Sequence, residues 1–423
     1  MPAVVDDRAK KFHALECGWP RPANSKSYLR VIHGILLPSA YIACLALFLM
    51  MVGRSCHDED GFASLIRIGS KFDERSLDAL KALPHTVLPD SAGYDGQFYV
   101  QLALSPILED RQLTRALDQA SYRSRRILFS WTAWLLGLGQ PAWIIQAYAL
   151  QNVLFWLGAA VLLLHWLPPT RWFHFFQWAA ILFSRGWLDC VDNALLDGPA
   201  LFLMLLAVWW SERGRPSWGT ALLGVSMLGK ETNLLAGLVS FEKFEWSRRA
   251  LKTLAVRALL LVFPLALWIG IVDAHFGVAR SAGRRNFAMP FLGWFGKVDE
   301  MQSTAAQHAW RIESTFTVLC MIATLVQMTY FVTNWRWGTK WWRLGAPYAF
   351  LGLCLGPAVM EGYPGAFTRA LLPMLAAYNL SLKPNWKGWL LLLLGNLDVL
   401  CGAHLLGVGY YLRQLTQLLN VGS

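Results

Sequence analysis

The sequence predicts an all-α polytopic membrane protein of about eleven transmembrane helices, and three observations carry that reading. Of its 423 residues, 55% are hydrophobic and only 15% are charged, whereas a soluble domain carries about a quarter charged residues. The apolar residues fall in runs of roughly 17 to 25, the length a helix needs to cross a hydrocarbon core of about 30 Å. Many of the 22 tryptophans lie near the ends of those runs, as at Trp172, Trp209, Trp210, Trp335, Trp337, Trp341 and Trp342. There an indole keeps one edge wet and the other in lipid. Length alone would suggest about two or three soluble domains; the composition excludes them.

Taken in order, a polar N-terminal segment, residues 1–31, precedes a first span at 32–53. That run is long enough to remain as an anchor rather than be removed as a leader. Further spans are expected at 142–165, 172–187, 194–210, 217–231, 254–273, 313–334, 344–360, 367–382 and 387–409. Basic residues in short loops mark the cytoplasmic side. Arg8, Lys10, Lys11, Arg21, Lys26 and Arg30 put the N-terminus there. Later cytoplasmic turns carry Arg213 and Arg215, then Lys243, Arg248, Arg249 and Lys252, then Arg336, Lys340 and Arg343, then Lys383 and Lys387. The alternation works only if the apolar piece 232–241 crosses and the stretch 127–138 does not. The latter is about twelve residues long and follows Arg123, Arg125 and Arg126, so it reads as a membrane-surface or re-entrant helix. The C-terminus then lies outside, after the helices of 313–423. Two long segments face outward, the loops 54–140 and 274–312. The seven cysteines show no CxxC spacing, and Cys44, Cys320, Cys354 and Cys401 sit inside apolar runs. Neither a disulfide framework nor zinc is implied.

Polar chemistry concentrates on the outward face. In Gly93-Tyr94-Asp95-Gly96-Gln97-Phe98-Tyr99, a carboxylate beside glycine and flanked by aromatics opens an amphipathic stretch. Asp95 reads either as the N-cap of an interfacial helix or as a general base where a lipid-borne substrate meets an aqueous acceptor. Asp189, Asp192 and Asp197 surround a membrane exit. With Asn193, the carboxylates of Asp189 and Asp192 suit a hard divalent cation, Mg²⁺ or Mn²⁺; alternatively each acid caps a helix or pairs with Arg185. Lys230 and Glu231 interrupt an apolar run. They neutralise one another, or Lys230 offers a point charge to a phosphate. No Gly-rich pattern precedes them, so a nucleotide P-loop is unsupported. Arg123, Arg125, Arg126, Arg280, Arg284, Arg285 and Arg369 all face outward, and Arg369 runs against the orientation bias of short loops. Their guanidinium groups match a lipid phosphate or pyrophosphate, or else bind ordinary anionic headgroups.

In this order, these segments resemble the GT-C superfamily of polyprenyl-phosphate-sugar-dependent glycosyltransferases, and more narrowly a bacterial membrane-protein family assigned to cell-surface glycopolymer formation. The matching pieces are Tyr94-Asp95-Gly96-Gln97-Phe98-Tyr99 with Leu102-Ala103, and Tyr122-Arg123 with Arg125-Arg126-Ile127-Leu128. Lys230-Glu231-Thr232, Asn286-Phe287 with Pro290-Phe291, and Phe367 with Arg369 and Leu372-Pro373 follow. The resemblance implies a GT-C-like module over 32–273, with membrane-surface helices in its first external loop and Asp95 acting near the acceptor. It also implies acids of the second external loop, here Asp189 and Asp192. The spacing Asp189-Cys-Val-Asp192 departs from the tight acidic triplet of metal-dependent oligosaccharyltransferases.

The expected function is transfer of a sugar from a polyprenyl-phosphate donor to an extracytoplasmic glycan, lipid or protein acceptor at the bacterial inner membrane. Asp95 would be the base. Tyr94, Gln97, Tyr99, Arg123, Arg125, Arg126, Lys230, Glu231, Arg284, Arg285, Asn286 and Arg369 are the candidates for substrate and phosphate. Membrane lipids are expected partners; nucleic acid is not. The net charge of +11 fits anionic lipid substrates, although cytoplasmic loops supply much of it. A flippase of lipid-linked sugars would use the same arginines, and a non-catalytic subunit of a glycopolymer assembly is a further alternative. No internal repeat of the transporter kind is visible.

Overall fold

The computed structural model describes residues 25–241, 247–278, 283–308 and 310–407. Arg8, Lys10, Lys11, Arg21, Lys243, Arg280 and the predicted end of the last span lie outside them. The chain opens with α1 (Ser25–Ser55). The following loop holds a parallel pair of two-residue strands, β1 (Ile68–Gly69) and β2 (Val87–Leu88), then α2 (Gly96–Leu104) and α3 (Leu128–Leu136). Next come α4 (Pro141–Leu163), α5 (Trp172–Leu182), α6 (Arg185–Asp192), α7 (Asp197–Glu212) and α8 (Pro216–Ser226). A 3₁₀ segment (Glu231–Ser240) leads to α9 (Arg248–Phe276), α10 (Leu292–His308), α11 (Ile312–Thr333) and α12 (Lys340–Leu353). The last helices are α13 (Leu372–Ser381), α14 (Trp386–Leu394) and α15 (Asp398–Leu405), with single helical turns between several of these elements.

The protein is a helical, multi-pass membrane protein. Four stretches are long and apolar enough to cross a bilayer: Gly34–Ser55 within α1, α4, α9 and α11. The number rises to six if the bent pairs α6–α7 (119°) and α14–α15 (52°) each act as one span. Helices stand at the other expected spans but are shorter than the apolar runs. For example, α5 and α8 have 11 residues each and α13 has 10, about 15 Å of helix against a core of about 30 Å. Hydropathy sums apolar residues straight through backbone breaks: α8 stops ahead of Gly229, and α12 ahead of Gly356-Pro357. The stretch 127–138 forms the nine-residue α3, which is too short to cross. All but the last residue of the piece 232–241 lies in the ten-residue 3₁₀ segment, about 20 Å long.

The two ends of the bundle differ. At one end, Ser55 at the end of α1 bonds Asp192 at the end of α6, Lys230 meets Asp197 at the start of α7, and Arg125 meets Asp273 near the end of α9. At the other, Trp166 donates to Glu212 and packs edge-on against Trp341, while Arg213 lies 4.2 Å above the Trp209 ring. Basic turns and amphipathic tryptophans thus gather at the end opposite the acidic and arginine-rich loops. Between them, the core closes on stacked aromatics such as Phe48 on Trp156, 3.6 Å between centroids.

Two glycines set how closely the loops approach the bundle. A Cβ on Gly96 would stand 2.6 Å from the Asn193 carbonyl oxygen, so α2 lies directly against the α6–α7 turn. A Cβ on Gly186 would stand 2.4 Å from the Thr368 carbonyl oxygen, which seats the turn Phe367–Ala370 on α6. Tyr148 of α4 donates to Ala194 (3.0 Å) and Ser130 of α3 to Tyr99 (2.7 Å), locking the same junction.

Gly96→Val is expected to lower stability by about 1–3 kcal/mol through this overpacking. Gly270→Ala, where a Cβ meets nothing within 4 Å, serves as the neutral control. Thermal unfolding in detergent reads both, and equal melting temperatures would show that the α2 contact is loose.

Candidate functional site

Asp95 occupies the N-cap position of α2, yet its side chain makes no capping hydrogen bond. One carboxylate oxygen meets Arg123 at 3.1 Å and the other faces Arg369 at 3.9 Å. The loop before it is pinned by buried Gln97, whose Oε1 accepts from the Gly69 amide (3.0 Å) while its Nε2 donates to Ala92 (2.7 Å). Both ends of the Gln97 amide are thus used within the loop. The Tyr94 ring is exposed and does not line the cavity described below. Burial alone would raise the Asp95 carboxyl. The guanidinium groups of Arg123 and Arg369, with Arg126 further off, outweigh it and hold the group down at about 2.

Arg369 projects from the turn Phe367–Ala370 and lies between two acids, its Nη1 3.8 Å from Asp197. Asp197 starts α7, where a carboxylate complements the positive end of the helix dipole, and it also pairs with Lys230. Asp95, Asp197, Lys230 and Arg369, with Tyr99 and Arg126, line a cavity of about 20 Å³, room for about one water. A larger cavity of about 260 Å³ opens beside Phe241, Arg249 and Arg257 at the opposite end of α9, remote from these groups.

The remaining arginines differ sharply in how they are occupied. Two 2.8 Å bonds join Arg123 to Asp118, and its guanidinium lies 4.8 Å from the centre of the Phe98 ring. Arg126 bonds Glu231 (2.7 Å), Tyr99 (3.1 Å) and Tyr122 (2.5 Å). Asn286 donates to the same Tyr122 hydroxyl at 3.2 Å, which ties the loop after α9 to the cluster. The Arg369 guanidinium, alone among these three, makes no hydrogen bond within the described residues; both of its acids stand beyond hydrogen-bond distance. Counting Arg123, Arg126, Lys230 and Arg369 against Asp95, Asp118, Asp197 and Glu231, four cations face four acids.

Other expected residues go elsewhere. Arg125 pairs with Asp273 at 3.1 Å. Arg284 and Arg285 are exposed, with no ion pair among the described residues. Asp189 binds Arg185 at 2.9 Å, while Asp192 takes Arg67 at 3.1 Å and the Ser55 hydroxyl at 2.9 Å. Each of these two acids already has an arginine, and no trio of acids, histidines or cysteines gathers at metal-holding distance among the described residues. As arranged, the pair does not fit a divalent cation. Lys230 and Glu231 do not neutralise one another: Lys230 goes to Asp197 and Glu231 to Arg126.

Two contributors escape a reading of the sequence as a string. Asp197 reads there as a companion of Asp189 and Asp192, but the 119° bend between α6 and α7 carries it into the cavity. The only local signal is its position at the start of a long apolar run. Asp118 carries no signal beyond standing five residues before Arg123. No protein-family model matches the chain, and comparison with curated proteins and with solved structures finds no match.

Replacing Arg126 with Met strands Glu231 and two tyrosine hydroxyls, at an expected cost of about 2–3 kcal/mol. Adding Glu231→Gln should recover part of that loss. A double-mutant cycle read by chemical unfolding checks this, and strictly additive losses would count against the coupling.

Proposed function

We propose that the protein is a GT-C-type membrane glycosyltransferase that moves a sugar from a polyprenyl-phosphate carrier to an extracytoplasmic acceptor. In this reading the chain crosses a bacterial inner membrane about eleven times, with its N-terminus in the cytoplasm and the Asp95 end of the bundle outside. The observation that carries it is Arg369, a guanidinium without a hydrogen bond, poised between Asp95 and Asp197 over a small cavity that Lys230 also lines. Guanidinium donors left in this state match the oxygens of a lipid phosphate, and a carboxylate stands beside them to receive a proton.

The chemistry balances on these groups. An acceptor hydroxyl gives its proton to Asp95 as its oxygen bonds the anomeric carbon. The bond from that carbon to the carrier phosphate breaks, and the phosphate leaves with the electron pair. Arg369 and Lys230 take up the developing negative charge. Before substrate arrives, the two arginines make Asp95 a weak base. A phosphate that draws Arg369 to itself removes one of them and raises the basicity of the carboxylate when the proton must move.

Asp95→Asn should lower kcat for sugar transfer by about 10²–10⁴-fold, and Arg369→Ala should lower kcat/KM by about 10²–10³-fold while leaving the melting temperature nearly unchanged. Transfer of labelled sugar from a polyprenyl-phosphate donor in proteoliposomes reads both. Unaltered transfer by Asp95→Asn overturns the base assignment; movement of lipid-linked sugar between leaflets without donor consumption would instead identify a transporter. The pH dependence has a definite sign. Since the Asp95 carboxyl is depressed to about 2, the acid limb of kcat/KM, which reports the free protein, should lie below the ordinary carboxylate range. The acid limb of kcat, which reports the loaded protein, should lie higher.

A further inference from the structure

The loop before α10 and the first half of that helix carry an apolar surface that nothing in the described chain covers. Phe287 (55%), Met289 (75%), Leu292 (55%) and Phe295 (70%) are all exposed. Beyond Gly296 the exposed face turns mostly polar, at Asp299, Gln302, Ser303 and Gln307, with Val298 (39%) and Ala306 the apolar exceptions. The helix is not one of those long and apolar enough to cross a membrane.

Its depth is set by bonds to the last turn of α12. The Phe291 amide donates to Leu353 (2.8 Å), the Ala288 amide to Cys354 (2.9 Å), and the Trp294 indole to Gly352 (2.8 Å). On that same turn Phe350 is 67% exposed, so the exposed apolar surface continues onto α12. Immediately before it stand Arg284 and Arg285, both exposed. Cations beside an apolar, aromatic-rich face are the composition that lies in the headgroup plane, with the side chains reaching the acyl boundary.

We propose that residues 284–295 are a membrane-surface anchor, seated in the lipid leaflet at the Asp95 end of the bundle with their arginines on anionic headgroups. The inference does not depend on the reaction proposed above. It gives α10 a positioning role, because the buried side of the same helix clamps the segment leading to Arg369. Trp294 packs against Phe367, 5.8 Å between rings, and Lys297 reaches the Gly362 carbonyl. A Cβ on Gly293 would stand 2.2 Å from the Leu355 carbonyl oxygen. The lipid surface thereby sets the height at which Arg369 is presented.

The test uses the full chain in vesicles, with an environment-sensitive fluorescent amino acid in place of Phe295 or, separately, of Gln302. With bromine-labelled acyl chains the probe replacing Phe295 should be blue-shifted and quenched several-fold more than the one replacing Gln302, which aqueous iodide should quench instead. Arg284→Glu with Arg285→Glu should reduce the lipid quenching in vesicles containing phosphatidylglycerol, and less so in purely zwitterionic ones. Iodide quenching at both positions overturns the anchor. A blue-shifted Phe295 probe indifferent to both quenchers would also overturn it, since the face would then be covered by protein, such as a second copy of the chain.

Discussion

An ionised side chain buried in a helical bundle is tolerated only beside a partner, and the geometry around Arg369 follows from that constraint. Asp95 and Asp197 come from elements far apart in the chain, and the guanidinium between them gives both a shared counter-charge. The backbone is shaped to permit it. The α6–α7 bend delivers Asp197, the glycine at position 96 lets α2 touch that bend, and the glycine at 186 seats the turn that bears Arg369. Each acid keeps a second cation, Arg123 for Asp95 and Lys230 for Asp197, so Arg369 is the member whose placement depends on all three approaches.

The surrounding arginines divide into those that build and one that waits. Arg123 and Arg126 are satisfied by carboxylates, tyrosine hydroxyls and aromatic faces, and they stitch the loop after α1 to the 3₁₀ segment and to the loop carrying Asn286. Such residues make the site rigid. Arg369 is held by attraction across longer distances, a state in which an incoming anion competes with carboxylates and has no hydrogen bonds to break. The balance of four cations against four acids also keeps the cluster from repelling its own parts.

The apolar side of α10 extends the same logic outward. Its buried side holds the segment 352–367, and its exposed side is the kind of surface that a lipid headgroup layer completes. If the proposed substrate is carried in the membrane, its site must stand at a defined depth, and the proposed surface anchor would supply that reference more directly than a span alone.

The residue order alone determined the membrane class, because hydrophobicity and run length are additive properties that need no knowledge of contacts. It also separated a basic, tryptophan-rich end from the end holding Asp95, Lys230 and Arg369, and it marked 127–138 as too short to cross. Helix lengths were less legible, since a run of apolar residues continues through the breaks after α8 and α12 that end the helix. Only the tertiary structure decided which charge meets which. Arg123, Arg125 and Arg126 are near neighbours in the chain, yet they go to Asp118 and Asp95, to Asp273, and to Glu231 respectively. Those partners lie up to 148 residues away. Side chains a residue apart on a turn point in different directions, and the acid each one finds is set by how distant helices pack.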